Sequence, residues 1–540
     1  MKQLQVVLLI LFFCFSTEIY PQQSKDSLVT KNIDIFSAVY RKVLDVYPYS
    51  VEPNKLALSG INPMLESLDP FSKFFNESQV LEMKQRLAAK FGGIGVILQE
   101  TVQGVVVVKT LPDSPSEKAG ISVADQIISI DGKLVKDISF DDVFGLLRGK
   151  PESEISLTIK RPSIPKEISF TLKRAIINLN PVTYAGMLNE NIAYIRLAME
   201  SEGSAKELEN ALTALYKKYK FKGLIFDLRS NEGGYLSEAV KTANLFIDKG
   251  SLLVKTSTKE RDTAYYAMKD PVFPIVPMVV LINNNTVSSG EILAGALQDN
   301  DRAVFIGQKT FGKGLIQEIL DMPGKTQIML TTGSYFTPCG RCIQAFNYRD
   351  GDKEMLELPK ISFETKNGRK VYNGGGISPD IETLYSNPSK LKESLEQHNI
   401  IFDFATDYKL RNPSIPTVGK FRIDQEEYNR FIAFAKTRKI IYQTDTEVKL
   451  QAIKESATKE GLWETLKKDI ELAEGNLATQ KENDFIAHKT EVINALEEEI
   501  VSRYYKNGGT QSALLKDPEV KKAIELLMDT AAYNKILNIK

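Results

Sequence analysis

Apolar residues recur at helical spacing near the start of the chain. Ile33, Phe36, Val39, Tyr40 and Val43 share one face, as do Val80, Met83 and Leu87 behind an Asn76-Glu77-Ser78 start signal. Between them lies an aromatic turn, Leu68-Asp-Pro-Phe-Ser-Lys-Phe-Phe75. From residue 91 the pattern changes to short apolar runs (VILQE, VVVVKTL, QIISIDG, ISLTIKR) broken by turn glycines and one helix-like stretch, FDDVFGLLRGK, which predicts a small β-rich module. Beyond residue 174, strands and helices alternate. Strands are expected at Ile192–Leu197, Gly223–Leu228, Met278–Ile282, Ala303–Ile306, Gln327–Thr332 and near Ile377, with helices at about 203–219, 234–248 and 289–299. After residue 390 the strands stop. Tyr428, Phe431, Ile432 and Ala435, then Leu462, Leu466, Ile470 and Ala473, mark charged amphipathic helices.

The chain therefore reads as a multidomain α+β protein. It divides into a leader (1–24), an N-terminal helical segment (25–90), the β-rich module (91–174), an α/β core (175–390) and a C-terminal helical domain (391–540). The leader has a basic start, Met1-Lys2, followed by an apolar run from Leu4 to Phe15. That run is too short to span a bilayer and fits a signal peptide, with an uncleaved N-terminal anchor as the alternative; either way the body is expected to be exported, to a periplasm or cell envelope. Cys14 lies between Phe13 and Phe15, without the small residues that lipidation needs.

Lys+Arg and Asp+Glu both number 69, so no basic face for nucleic acid is implied. Apart from Cys14, the cysteines are Cys339 and Cys342, in TPCGRCIQ. No nearby His or Cys completes a zinc site. The pair follows a strand rather than opening a redox helix, so it reads as loop residues or a local disulfide.

Three segments carry chemistry. In Asn283–Leu297 (NNNTVSSGEILAGAL) a buried strand turns into a helix, which places Ser288 Oγ beside helix N–H groups able to hold an oxyanion. Ser288 and Glu291 also read as an ordinary capping box. A serine nucleophile needs a base. The only histidines, His398 and His488, lie in the charged helical region. Lys313, between Gly312 and Gly314, is the better candidate, provided burial lowers its pKa from about 10.4 to about 7–8. Gln317 would be about 13 Å away along an ideal strand, so it reaches Lys313 only across a turn or bulge. The third segment, Asp227-Leu-Arg-Ser-Asn-Glu-Gly-Gly234, offers main-chain N–H groups after a strand, which suit a carbonyl oxyanion or a phosphate.

Taken in order, DLRSNEGG, NTVSSGEILAGALQ and GQKTFGKGLIQ resemble the carboxyl-terminal processing proteases, the tail-specific serine peptidases. The resemblance covers about residues 35–385 and includes LDPFSKFF and Gly375-Gly-Ile-Ser-Pro-Asp380. It implies that Ser288 is the nucleophile, Lys313 its base and Gln317 the partner that orients the base. The Ser289 N–H, with Gly233 or Gly234, would form the oxyanion hole. Val287, Gly290 and Glu232 depart from the usual pattern.

The 91–174 module resembles the PDZ domain of that family. Gly92, Gly93, Ile94 and Gly95 would then offer N–H groups to a terminal carboxylate. Val96, Leu146 and Leu147 join Ile94 as pocket walls or as plain core, and Arg148 matches an arginine that senses occupancy. The resemblance implies protein or peptide substrates with free C-termini and no metal or cofactor. An adaptor and a homo-oligomer remain open. So do two other readings: a PDZ scaffold or chaperone without catalysis, and a peptidase latent until a partner binds.

Overall fold

The computed structural model describes residues 25–101, 104–272, 274–349, 352–355, 360–384, 388–438, 440 and 442–539. The expected leader lies outside them. No helix among the described residues is long and apolar enough to cross a membrane. The chain forms two compact units.

The described residues of the smaller unit fall within 25–75, 319–330, 348–349 and 352. Its helices are Lys25–Val46 and Pro53–Glu66. Within the aromatic turn, Asp69 Oδ1 accepts the N–H of Phe71 and Ser72, both at 2.8 Å. This Asx turn delivers the strand Lys73–Phe75, which pairs antiparallel with Gln327–Met329.

In the larger unit the β-rich module is a sheet of Val96–Thr101, Gly104–Thr110, Gln126–Ile130, Glu154–Lys160 and Ile168–Lys173, with Lys133–Leu134 pairing onto the third of these. Its helix, Phe140–Leu147, packs Val143 and Leu147 onto Ile127, Ile130, Ile155 and Leu157. Arg174 Nη2 donates to Leu146 O at 2.7 Å and so satisfies a terminal carbonyl of that helix.

The α/β core is a six-stranded sheet: β1 (Val182–Met187), β2 (Ile192–Leu197), β3 (Gly223–Asp227), β4 (Met278–Ile282), β5 (Val304–Gly307) and β6 (Ile381–Glu382), side by side in that order. β1 runs antiparallel to β2, and the remaining strands are parallel. Alternate side chains face opposite layers, as the two-residue strand period requires. Leu224, Phe226, Met278, Val280 and Phe305 pack under α1 (Ser204–Tyr219), α2 (Leu236–Ala243) and α3 (Ser289–Asp299). Ile225, Val279, Leu281, Val304 and Ile306 face the other way. The continuous apolar run MVVLI follows from burial on both faces.

One strand expectation is corrected and another is extended. Ile377 is buried but sits in a loop after three positive-φ glycines, Gly374–Gly376, and the sixth strand begins at Ile381. The Gln327–Thr332 segment belongs to the strand Thr326–Phe336, outside the parallel sheet. Its residues Gly333–Phe336 pair with Leu252–Thr258, a strand the sequence reading lacked.

The C-terminal helices, expected to pack on the core or on a partner, divide between two cores. Residues 391–501 have their own core around Leu395, Phe404, Phe431 and Leu496. The last two helices, Pro518–Met528 and Thr530–Ile536, instead cover the second face of the core sheet through Val520, Ala523, Leu526 and Tyr533. The Tyr533 hydroxyl accepts from Met278 N at 2.9 Å and donates to Met278 O at 3.0 Å. Each large apolar side chain buried there is worth about 1.5–3 kcal/mol, so their sum rivals the whole stability of a domain. A chain ending at Lys516 is therefore expected to be insoluble or to lack a cooperative melting transition. A soluble, cooperatively melting truncate would contradict this layer assignment.

Candidate active site

Because the central strands are parallel, their C-terminal ends share one edge of the sheet, where sites form in open α/β sheets. β2 ends into Glu200, β3 into Asp227–Gly234, β4 into Asn283–Ser288, and β5 into Thr310–Gly314. The three motifs meet there.

Ser288 has φ 57° and ψ −119°, a strained conformation for a residue with a Cβ. Such strain costs about 1–3 kcal/mol and persists only where the surroundings enforce it. It resembles the sharp strand-to-helix turn that presents a nucleophilic serine.

The enforcement comes largely from Glu291, a fully buried residue one turn into α3. Its Oε2 accepts both Ser288 N at 3.0 Å and Lys313 N at 2.8 Å. Its Oε1 accepts Thr310 Oγ1 and Gly312 N, each at 2.6 Å. Burial raises the Glu291 carboxyl above the usual range, and these four hydrogen bonds oppose the shift. From the other side, the Tyr335 hydroxyl reaches Ser288 O at 3.2 Å and Lys313 O at 2.8 Å. Burial pushes its pKa well up, so it remains a donor. The capping-box reading of Glu291 captured one of these contacts and missed the bridge to Lys313.

Gly233 packs directly on the serine turn, since a Cβ there would lie 2.8 Å from Val287 O and 3.0 Å from Ser288 Cβ. Its N–H is taken by Asn231 Oδ1 at 2.8 Å. The N–H groups of Gly234 and Ser289 have no hydrogen-bond partner among the described residues. Gly234 has φ 152°, and a Cβ on it would fall 2.4 Å from Glu200 O, so glycine is required. The departure at Gly290 has a reason of the same kind, because a Cβ there would lie 2.8 Å from Asn231 Oδ1. Glu232 is exposed and pairs with Arg86 at 2.6 Å.

Lys313 is half-buried on the loop braced by Glu291, where Gly314 N donates to Gln344 Oε1 at 2.7 Å. Gln317 Nε2 donates to Thr331 Oγ1 at 3.1 Å across the neighbouring strand. His398 Nδ1 lies 2.8 Å from Ser394 O in its own helix, and His488 lies beside Glu491. Cys339 and Cys342 are free thiols, with Cys339 N donating to Asp299.

In the β-rich module, Gly92 and Gly93 lie in a strand paired with Ile176 and Ala175, not in an open loop. Ile94 and Leu147 are core residues, whereas Val96 and Leu146 are half-buried against that core. The Gly95 carbonyl is occupied by Leu111 N at 2.8 Å and Ser116 Oγ at 2.9 Å. Arg148 is exposed, and its guanidinium lies 5.0 Å from the centre of the Phe91 ring.

Sequence reasoning also missed Arg229. Its guanidinium holds buried Asp227 at 2.6 Å and reaches Asp517 and Glu519, both at 2.7 Å. The base of the DLRSNEGG loop is thus tied to the helix that covers the sheet from the far end of the chain.

The chain matches "Peptidase family S41" over residues 191–347, "PDZ domain" over 106–161 and "Probable PDZ-protease, C-terminal helical domain" over 391–527. It is 31% identical to the carboxy-terminal processing protease CtpA of Bacillus subtilis, over 69% of this chain and 79% of that one. It is 33% identical to a carboxy-terminal-processing protease of Bartonella bacilliformis, over 58% and 73% respectively. A solved photosystem II D1 C-terminal processing protease shares 28% identity with a TM-score of 0.36, covering 67% of this chain and 89% of that one. The chain belongs to the carboxy-terminal processing proteases, serine-type peptidases of family S41 that carry a PDZ domain.

Proposed function

We propose that the protein cleaves exported proteins, selected by their C-terminal tails, with Ser288 as nucleophile and Lys313 as general base. One observation carries the reading: a single oxygen of Glu291 receives the main-chain N–H of both Ser288 and Lys313. The main chains of the two chemical residues are thereby anchored to one buried oxygen, which supports their acting as a pair. Neutral Lys313 Nζ takes the proton of Ser288 Oγ as Oγ adds to the peptide carbonyl carbon. The carbonyl oxygen takes the negative charge and accepts from Gly234 and Ser289 N–H. Collapse of the intermediate expels the amine, which is protonated by the Lys313 ammonium. Lys313 then deprotonates a water that adds to the acyl ester, and Ser288 is restored.

Upstream, the PDZ strand Val96–Thr101 and the Ile94–Val96 turn are proposed to hold the substrate's last residues and carboxylate. Export rests on the leader sequence. Fractionation that found the protein only in the cytoplasm would contradict it.

Mass spectrometry of products from an unfolded, tailed substrate tests the whole reading. Wild type is expected to cut internally, and Ser288→Ala to leave the substrate intact. Amidating the substrate's C-terminus is expected to raise KM about 10-fold, the worth of about 1.4 kcal/mol of charge-assisted hydrogen bonding. Equal cutting by Ser288→Ala would remove the nucleophile assignment, and indifference to amidation would remove tail recognition.

A further inference from the structure

Glu200 is fully buried at the end of β2, where no motif marks it. Its main chain clamps the glycine pair from both sides: Glu200 N donates to Gly233 O at 3.1 Å, and Glu200 O accepts Tyr235 N at 2.8 Å. Its side chain holds the two groups behind the proposed oxyanion donors. Oε1 accepts Asn231 Nδ2 at 2.9 Å, and Oε2 accepts the Ser289 hydroxyl at 3.0 Å. Asn231 passes the constraint on, because its Oδ1 fixes Gly233 N at 2.8 Å and its carbonyl accepts Val287 N at 2.9 Å.

The ionisable residues on the neighbouring segments are committed elsewhere. Asp227 is held by Arg229, Glu232 by Arg86 and Glu238 by Lys241, while Glu291 serves the 310–313 loop and Glu202 is exposed. Burial therefore pushes the Glu200 carboxyl up to about 7, against its hydrogen bonds from Ser289, Asn231 and its own main chain. A buried carboxyl without a cation is costly, and such groups concentrate at functional sites.

We infer that Glu200 is a positioning residue of the proteolytic site, aligning the Gly234 and Ser289 N–H groups toward one oxyanion through Asn231 and the Ser289 hydroxyl. This rests on the Ser288 reading above. The carboxylate touches neither the nucleophile nor the base. It sets the angle between two loops that come from different strands, β3 and β4. Well-aimed oxyanion donors are worth about 10²–10³ in kcat each, so a modest misalignment of both is visible in kcat.

The test measures kcat and KM on a tailed substrate for wild type, Glu200→Ala, Glu200→Gln and Ser289→Ala. The same proteins are titrated with a peptidyl boronic acid, whose tetrahedral adduct mimics the intermediate, and with a non-covalent tail peptide. Glu200→Ala is expected to lower kcat about 30- to 100-fold, with KM within about 2-fold. Boronate affinity should fall by the same factor while tail-peptide affinity stays unchanged. Glu200→Gln should recover to within about 5-fold of wild type, because its amide oxygen still accepts Asn231 and its NH2 can donate to Ser289 Oγ. Ser289→Ala should lower kcat and boronate affinity together, about 5-fold.

A Glu200→Ala protein that melts earlier but keeps wild-type kcat and boronate affinity overturns the inference. If that variant does not fold, unchanged kcat in Ser289→Ala overturns it instead. Failure of the underlying reading looks different, since Ser288→Ala would then remain active.

Discussion

Replacing Lys313 with alanine or with arginine is expected to lower kcat at least about 10³-fold, the usual worth of a general base that also serves as the acid. The arginine variant is the sharper of the two. It keeps a cation at the same place, yet a guanidinium cannot give up its proton in a protein. If Lys313 acted only by attracting substrate, arginine would preserve much of the rate. As a base, it must alternate between amine and ammonium, and both substitutions abolish that cycle. Lys313 is half-buried on a loop whose main chain is held by Glu291 and Gln344. Either variant should therefore melt within about 1 kcal/mol of wild type. Stopped assays of purified, folded variants decide the matter, and Lys313→Arg with more than a tenth of the wild-type rate would refute the base.

The second large effect is expected at Glu291. Glutamine matches its shape but offers one acceptor oxygen where four hydrogen bonds converge on two. Either the Ser288 and Lys313 pair or the Thr310 and Gly312 pair then faces an NH2 group. Each N–H left without an acceptor costs about 1–3 kcal/mol, enough to release the strained Ser288 turn or to shift the Lys313 loop. A displacement of about 1 Å between reacting groups costs about 100-fold in rate, so Glu291→Gln is expected to lose about 100-fold in kcat.

Its stability should carry a pH signature. Burial raises the folded pKa of Glu291 above the unfolded value. That contribution to stability is fully present below the unfolded pKa and is lost as pH rises through the folded one. Glutamine does not ionise, so the variant should melt closer to wild type at alkaline than at acid pH. Full activity, or a melting deficit that grows with pH, would count against the clamp.

Much of the site was legible because its residues sit where a strand ends. In a parallel sheet, every C-terminal strand end falls on one edge, so DLRSNEGG, the Ser288 turn and the Lys313 loop had to converge once their strands were recognised. Local pattern also sufficed for β2, β4, α1 and α3.

What escaped was contact between distant parts of the chain. Glu291 looked like a helix cap because Ser288 is the nearest in sequence of its hydrogen-bond partners, and nothing local pointed to Lys313. Nothing local marked Glu200, which falls between a strand and a helix. Arg229 meets Asp517 and Glu519 across more than half of the sequence, so the second layer of the core was grouped with the rest of the C-terminal helical domain. The Gly92–Gly95 stretch misled in the opposite direction. Its glycines suggested an open carboxylate loop, yet Gly92 and Gly93 are consumed by strand pairing and only the turn that follows remains for a ligand. The strand expected near Ile377 begins only at Ile381, because Thr310 fixes Ile377 in a loop: Thr310 N donates to Ile377 O at 3.0 Å, and Ile377 N donates to Thr310 Oγ1 at 2.7 Å.

The most direct test of the central claim is to trap the acyl-enzyme. The protein is mixed with a tailed peptide ester, quenched in acid within the first turnover, digested, and mapped by tandem mass spectrometry. The account predicts one acyl group, on Ser288, absent when Lys313→Arg is used at the same pH. An acyl group on any other residue, or turnover with no adduct at all, would contradict it.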